Sequence, residues 1–427
     1  MLKMRRINNV FGVVFLLCCA TGSAQTLLNA PYSRFGVGEI GSRTAAANAA
    51  MGGTSLAFQS ATVVNFANPA SYIAYDSLAC LFDAAFTYKN HTLTTNASEV
   101  QKGNCIVFDY LALGLSVAKW WKTSFGFQPF STMSYTINQV DNTLDTNAIT
   151  TSFFGEGGIN EFYWGNAFKL FNNFSIGFNA SYLFGEYNRN RKVESSDILF
   201  VNSQTSNSNL VKGFSLTLGM QYFVPIKEKG NLGFGLVYTP AIPIYADIQN
   251  QTVTYFGTGY NPTKLEEEPL YSTRDKNAKL SMPQSIGGGI SWGNGLNYFV
   301  GADFTWTNWA NYAVNGINDS LINSYKIAVG GNYIPNPTST KFFSRIVFSL
   351  GANYEQTYLK LNDFQLDKLG MNFGLQFPVK RSKTSFGAIF EYGQMGTTES
   401  GLIKEDYFKI TISIRVHEPW YQRKKLE

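Results

Sequence analysis

The feature that most constrains this chain is an alternation of large apolar and small or polar residues, which recurs along the sequence after residue 78. Residues 174–184, for example, read F-S-I-G-F-N-A-S-Y-L-F. Side chains on a β-strand point alternately to opposite faces, so each such segment predicts a strand with one apolar and one polar face. Fourteen predicted strands lie near 78–92, 104–117, 122–137, 150–169, 172–187, 210–225, 231–247, 282–293, 296–308, 322–334, 343–358, 364–378, 383–394 and 404–417.

So many strands in one unbroken array favour a closed sheet. Charged residues make up only 15% of the chain, whereas about 25% is usual in soluble domains. No later stretch approaches 18 uninterrupted apolar residues, so the sequence predicts no membrane-spanning helix. Lipid satisfies no backbone hydrogen bonds, and a membrane protein without such helices must be a barrel. We therefore predict an all-β fold, a 14-stranded antiparallel transmembrane β-barrel with an N-terminal lumenal hatch, in the cell outer membrane.

The first residues predict export. Residues 1–24 combine three basic residues near the start, an apolar stretch at 10–20 and small residues at 22–24, which is the pattern of a signal peptide. Its removal would lower the formal net charge from +5 to +2, so the charge gives no reason to expect a nucleic-acid partner. An exported chain can form a disulfide between Cys80 and Cys105, but we predict that both cysteines stay unpaired.

Residues 25–77 carry only four charges and show no strand alternation. A segment this neutral is predicted to pack against something, and the lumen of the following barrel is the available cavity. A disordered linker is the alternative, but the Phe, Leu and Val content of the segment argues against it. We expect residues 25–77 to form a hatch or plug, residues 78–418 the barrel, and residues 419–427 a periplasmic tail.

The predicted connections between strands support the barrel. If the chain starts in the periplasm, odd-to-even connections face outwards, and these include the two longest, about 188–209 and 248–281. The even-to-odd connections are mostly short, as periplasmic turns are in such barrels. Tryptophans near predicted strand ends, such as Trp120 and Trp292, fit aromatic girdles at the membrane surfaces.

Two short runs carry a resemblance to a known family. The run G-G-T-S-L-A at 52–57, followed by N-P-A-S at 68–71 just before the first strand, resembles the hatch of the FadL/TodX outer-membrane transporters of hydrophobic compounds. The chain looks like a Bacteroidota form of that family, although its residues 32–38 differ from the proteobacterial N-terminus. The hatch-motif residues are Gly52, Gly53, Asn68, Pro69 and Ala70.

The resemblance implies a route for a ligand. A lipophilic molecule would be caught among the third and fourth loops, pass to a lumenal pocket near the hatch, and leave sideways where the third strand is distorted. Gly126 and Pro129 in that strand are the lateral-gate candidates, because proline donates no ladder hydrogen bond. An ordinary bulge near the barrel rim is the alternative. Phe58, Val63 and Phe66 are the candidates for lining the ligand pocket.

The sequence shows no catalytic arrangement. Its two histidines, His91 and His417, lack a nucleophile motif or metal-ligand spacing and are predicted to be loop or rim residues. We therefore expect no enzyme, no cofactor and no metal site. The glycine run 287–289 is predicted to give the hatch backbone room to approach the wall. Charged residues expected to face inwards and hold the hatch are Glu186, Asp303, Lys326, Arg345, Glu355, Glu391, Lys409 and Arg415.

Three alternative functions are compatible with this predicted fold. The leading hypothesis is passive uptake of small hydrophobic molecules, fatty-acid-like or aromatic, through a lumenal pocket and a lateral opening. The alternative is a non-transporting barrel subunit of an outer-membrane assembly or secretion complex, since one scaffold hosts many roles. A general porin is less favoured because a neutral hatch would block ions. The expected partners are outer-membrane lipids and a small hydrophobic ligand, and other envelope proteins remain open as partners.

Overall fold

A computed structural model describes residues 29–96, 99–141, 148–195, 197, 199–226, 230–256, 263–264, 269–294, 297–318, 320–380 and 382–419. The predicted signal peptide and most of the predicted tail lie outside these residues. Among the described residues, no helix is long and apolar enough to cross a membrane.

Fourteen long antiparallel strands form one sheet, and we number them β1–β14. The first seven are β1 (Ala79–Thr94), β2 (Val100–Ser116), β3 (Trp121–Asp141), β4 (Ile149–Phe171), β5 (Phe174–Ser195), β6 (Asn202–Ile226) and β7 (Gly230–Thr239). The others are β8 (Ser285–Gly293), β9 (Tyr298–Thr307), β10 (Ser324–Tyr333), β11 (Val347–Leu361), β12 (Phe364–Pro378), β13 (Ser385–Met395) and β14 (Lys404–Pro419). Successive strands pair, and β1 pairs with β14 from Ala79 to Thr94. The sheet is therefore closed, and the predicted 14-stranded antiparallel barrel is confirmed.

The alternation in the sequence becomes the two faces of the wall. In β14, Phe408 and Ile412 are exposed on the outside, whereas Ser413 and Arg415 are buried towards the lumen. The same holds in β11, where Leu350 is exposed and Ser349 is buried. An apolar outer face with a polar inner face is the arrangement that a bilayer requires of a barrel wall.

The two long connections predicted as loops are largely strands. Residues 188–209 extend β5 and β6, which pair as far as Val193 and Ser203. The segment 243–281 forms a further hairpin, whose first arm also pairs with β6 from Asn202 to Lys212. The Asn, Ser and Thr content suggested irregular loops, but these side chains bond across the strands, as Asn207 does to Asn250 at 2.5 Å. The remaining strands are Glu39–Ile40, Pro243–Phe256, Thr263–Lys264, Tyr271–Ser281, Ala313–Val314 and Ile317–Asn318.

The even-to-odd connections lie at the opposite end, which we call the short-turn end and which faces the periplasm in barrels of this type. Most are brief, such as the one between Phe171 and Phe174. Helical turns are few and short. The structure has one α-helix, Ala46–Ala49, and 3-10 turns at Pro31–Arg34, Pro69–Ala74, Trp309–Asn311, Phe343–Arg345 and Glu399–Gly401 within the described residues.

Residues 29–77, which we call the N-terminal segment, lie against lumen-facing residues of the wall. Tyr72 donates to Asn179 of β5 at 2.9 Å, and Ser291 of β8 donates to the Ala57 carbonyl at 2.8 Å. Wall glycines let the backbones approach closely, because a Cβ at Gly351 would overlap the Met51 backbone. In the run 287–289, Gly287 and Gly289 face Leu56 while Gly288 meets open space, which follows the strand alternation.

Candidate functional site

The barrel wall has a gap between β2 and β3. Their pairing covers only Leu111–Ser116 of β2 and Lys122–Phe127 of β3. On their other sides the two strands are paired much further, β2 with β1 up to Val100 and β3 with β4 up to Asp141. Above the paired region, therefore, the facing edges of β2 and β3 do not bond each other among the described residues.

The gap begins beside the proline that the sequence singled out. The register of β3 against β4 shifts between Pro129 and Ser131, so this strand carries a bulge where the proline removes a donor. Gly126 lies just below, in the paired region, and a Cβ there would overlap the ring of Tyr163. Pro129 thus marks the lower edge of the gap, whereas Gly126 makes room for a tyrosine side chain.

The N-terminal segment follows the open edge of β3. Glu39 and Ile40 pair antiparallel with Thr132 and Ser131, and the Ala30 amide donates to the Ser134 carbonyl at 2.7 Å. This segment therefore satisfies backbone groups of β3 that β2 leaves unpaired, as buried or lipid-facing backbone requires.

One amide side chain reaches across to the other edge of the gap. Asn29 donates to Gln101 of β2 at 3.1 Å and to the Thr136 carbonyl of β3 at 3.2 Å. It also accepts the Thr136 amide at 2.9 Å. Asn29 is thus the point at which the N-terminal segment touches both edges of the gap.

A cavity of about 1150 Å³ runs through the lumen to this gap. Its lining includes lumen-facing residues such as Lys89 and Asp109, together with Ile106 of β2, whose side chain is 63% exposed on the outer face. Phe127 and Phe130 of β3 also line it. Residues of both wall faces therefore bound one cavity beside the gap.

Charged residues form the inner part of this lumen, and the sequence analysis missed most of them. Lys89 of β1 lies 2.8 Å from Glu405 of β14, and Lys409 lies 3.2 Å from Glu391. Glu39 of the N-terminal segment joins them, 4.0 Å from Lys89 and 3.9 Å from Lys368 of β12. The Coulomb attraction of Lys89 lowers the pKa of Glu39, although burial opposes this effect. We call Glu39, Lys89, Lys368, Glu391, Glu405 and Lys409 the lumen ion cluster.

The hatch-motif residues hold the segment in shape. Asn68 caps the turn that Pro69 begins, accepting the Ala70 amide at 3.1 Å, and its own amide donates to the Leu56 carbonyl at 2.7 Å. Gly52 has a positive φ of 69° and a Cβ there would meet the Ala352 backbone within 3 Å. A side chain at Gly52 would therefore hinder both the turn and its approach to the wall.

Asp303 of β9 anchors the segment directly. Its Oδ2 accepts the backbone amides of Ser55 at 2.6 Å and Leu56 at 2.9 Å. The aspartate is buried. This contact ties residues 55 and 56 of the N-terminal segment to the wall.

Asp303→Ala is expected to loosen the segment, because the two amides would lose their acceptor in a buried site. We expect a cost of about 2 kcal/mol, which corresponds to a roughly thirtyfold larger open population. Trypsin cleavage at Arg43 in the folded barrel measures that population. Asp363→Ala, in an exposed turn whose ion pair with Lys360 is solvated, is the control and should leave the cleavage rate unchanged. Equal rates for the two variants would contradict the anchoring role.

The other inward candidates have several roles. Arg415 pairs with Asp83 at 3.3 Å, Lys326 lies beside Gly53, and Glu186 accepts from Ser208 at 2.8 Å. Glu355 lines the cavity. Arg345 belongs to a helical turn of the β10–β11 connection, where the sequence predicted a strand.

The three proposed ligand-lining residues do not share one cavity. Phe66 lines the large cavity, whereas Phe58 and Val63 line a second one at the short-turn end. Phe66 packs against Tyr110 with ring centroids 5.1 Å apart, and Phe58 packs against Phe299 at 5.0 Å. The structure therefore gives these side chains packing contacts and divides them between the two ends of the lumen.

The histidines lie in two different settings. His91 lies in β1, three residues before its end and inside the predicted strand 78–92, and is buried with its Nδ1 3.0 Å from Glu405. His417 lies near the end of β14, 2.8 Å from Asp76. Cys80 and Cys105 are free. The described residues contain no group of three or more His, Cys, Asp or Glu side chains suited to a metal ion.

Comparison with known proteins gives both a family and a set of similar folds. The model of the BamG family matches residues 4–427. No curated protein matches the chain.

Solved structures that resemble the chain include hydrophobic-compound transporters and a FadL homologue. The FadL homologue of Pseudomonas aeruginosa has a TM-score of 0.59 at 13% identity, covering 88% of this chain and 98% of its own. The toluene transporter TbuX of Ralstonia pickettii has a TM-score of 0.57 at 13% identity, covering 87% and 97%. The toluene transporter TodX of Pseudomonas putida has a TM-score of 0.55 at 12% identity, covering 91% and 99%. At these identities the similarity is one of fold: a 14-stranded barrel of the outer-membrane type.

Proposed function

We propose that this chain, which belongs to the BamG family, admits small hydrophobic molecules to the outer membrane through the gap between β2 and β3. The observation that carries the proposal is the cavity bounded by both faces of the wall, from Lys89 in the lumen to Ile106 outside. The transporters of similar fold, named for toluene, are consistent with this class of ligand.

The physical driving force is the removal of apolar surface from water. A hydrophobic molecule gains roughly 25 cal/mol for each Å² of its surface that leaves water, and the membrane beside the gap offers such a medium. The barrel would supply a path through the polar outer layer of the membrane, and the gap would let the molecule leave without crossing the whole lumen. No chemical step is needed.

The N-terminal segment would act as the hatch on this path. It would block the lumen below the cavity. Because it pairs with β3 at Glu39 and Ile40, the open width of the gap would depend on the distance between this segment and β2. Asn29, which bonds both edges, is the natural place to test this.

Tying the two edges together is expected to stop uptake. In a Cys80→Ala, Cys105→Ala background, Asn29→Cys and Gln101→Cys would be joined by a short bis-methanethiosulfonate cross-linker, which forms one reducible disulfide with each cysteine and releases methanesulfinate. Entry of radiolabelled oleate or toluene into vesicles with lipopolysaccharide in the outer leaflet should fall to the level of empty vesicles, and reduction should restore it.

The matched control is an amide pair on the long-loop hairpins, Asn207→Cys with Asn250→Cys, whose side chains are also in hydrogen-bond contact. Cross-linking this pair should leave uptake unchanged. Uptake that continues through the barrel cross-linked at residues 29 and 101 would overturn the lateral route.

A second candidate function is that of a non-transporting subunit of an outer-membrane assembly or secretion complex. The observation that favours it is the lumen ion cluster. An apolar ligand gains little binding free energy beside buried ion pairs such as Lys89 with Glu405. Stoichiometric co-purification of other envelope proteins, together with the absence of uptake by the wild-type barrel, would support this function over the first.

A further inference from the structure

The short-turn end of the barrel is rich in positive charge. The described parts of its connections contain basic residues and no acidic ones, and the acidic residues near them are Asp76 of the N-terminal segment and Glu418 near the end of β14. The basic residues are Lys119, Lys341, Arg345, Lys380 and Lys383. Charges of one sign gathered around a mouth concentrate ligands of the other sign there.

A cavity of about 820 Å³ opens at the short-turn end, and we call it the vestibule. Short connections form its rim, and residues 57–63 of the N-terminal segment form part of its base. Four basic side chains line it, and none of the described lining residues is acidic. The four are Lys169, Arg345, Lys383 and Arg415.

Two of these cations already have partners. Arg415 pairs with the buried Asp83 at 3.3 Å, and Lys383 pairs with Asp76, whose other neighbour is His417. Burial raises the pKa of Asp76, but Lys383 and His417 more than offset this and hold that pKa below its usual value. Both carboxylates are therefore satisfied and leave no negative charge free for the other cations.

The remaining two cations form no ion pair with any described residue. Lys169 is exposed near the end of β4, and Arg345 is half-buried in its helical turn. The Nε atom of Arg345 is buried without a hydrogen-bond partner in the described structure. A buried guanidinium nitrogen without an acceptor is unusual, and a carboxylate is the acceptor that fits its planar geometry best.

We propose that the vestibule binds an acidic segment of a periplasmic polypeptide, with Arg345 and Lys169 as the recognition residues. The cavity holds several side chains, and Phe58 and Val63 at its base offer apolar contact beside the charges. This inference does not depend on transport through the lateral gap, which lies on another part of the wall.

The geometry favours a polypeptide over lipid headgroups. The cations line a concavity inside the mouth of the barrel, enclosed by the N-terminal segment on one side. Headgroups of the inner leaflet surround the barrel from outside, where they meet the outward faces of the strands. An extended acidic chain can enter from the periplasm and place carboxylates beside Arg345.

The test measures binding of a fluorescein-labelled oligoglutamate to the full chain in phosphatidylcholine nanodiscs by fluorescence anisotropy. The wild-type protein should bind, and its affinity should fall as salt is added, because the contacts are ionic. Arg345→Gln with Lys169→Gln should weaken binding at least about tenfold, since two charge-assisted contacts are lost. An oligoglutamine peptide should not bind.

The control is Lys102→Gln with Lys276→Gln, which removes the same charge from exposed residues at the opposite end. It should bind oligoglutamate like the wild type. Failure of the wild type to bind, or equal loss in both double variants, would overturn the proposal. So would binding that appears only when the nanodiscs contain phosphatidylglycerol, which would assign these cations to lipid headgroups.

Discussion

Replacing Gly351 with valine is expected to release the N-terminal segment from the barrel while the barrel itself remains folded. Gly351 faces inwards on β11, and its missing side chain is the space that the backbone of Met51 occupies. Neither partner can move easily, because one belongs to the closed wall and the other to a tight turn. Overpacking of this kind costs about 3 kcal/mol, and this cost falls on the docked state of the segment alone.

The measurement is protection against trypsin. In the wild type, Arg43 is held by Glu161 at 2.9 Å and should be cleaved slowly. In Gly351→Val we expect complete cleavage in the time that leaves the wild type intact, with the heat-dependent gel shift of the folded barrel retained. Ion conductance in planar bilayers should rise as well, because the lumen loses its plug.

Gly288→Val is the matched control, since a Cβ at Gly288 meets nothing within 4 Å. Both substitutions add the same isopropyl group to a glycine in a barrel strand, and only the one at Gly351 points at the segment. If both variants were protected from trypsin like the wild type, the segment would not depend on this close approach to the wall.

The strands were predictable because they obey a local rule. Each strand of the wall has lipid on one side and the lumen on the other, so the alternation of β14 from Phe408 to Val416 can be read without knowing its neighbours. The bulge beside Pro129 was predictable for a similar reason, because a missing backbone donor distorts a strand whatever its neighbouring strands are.

The gap and the ion cluster depend on pairings that no local rule reveals. Residues 100–110 of β2 are paired with β1 apart from one bulge, and only the register with β3 shows that they have no partner on that side. Glu39, Lys89 and Glu405 are far apart in the sequence and meet only because the barrel closes. The long connections were misread because Asn- and Ser-rich composition marks exposure to water, which loops and extended hairpins share.

Glu405→Gln is expected to destabilise the barrel strongly. Glu405 accepts from both Lys89 at 2.8 Å and His91 at 3.0 Å, and its side chain is only 5% exposed. Removing one partner of a buried ion pair leaves the other charge poorly compensated, which costs about 3 kcal/mol. The midpoint of urea unfolding, followed by tryptophan fluorescence in lipid vesicles, should fall accordingly. Glu399→Gln, in an exposed turn, should leave the midpoint unchanged.

The double variant Lys89→Met with Glu405→Gln distinguishes two causes of the lost stability: the loss of the attraction between Lys89 and Glu405, and the burial of an uncompensated Lys89 charge. If the cost of Glu405→Gln comes from an uncompensated Lys89, removing that lysine should restore a large part of the stability, since buried ion pairs replaced by apolar groups cost little. The interaction energy from the full cycle of four proteins should then be favourable by more than about 1 kcal/mol. Strictly additive effects of the two substitutions on the free energy of unfolding would show that Lys89 and Glu405 act independently. The charge of Lys89 would then be compensated by Glu39.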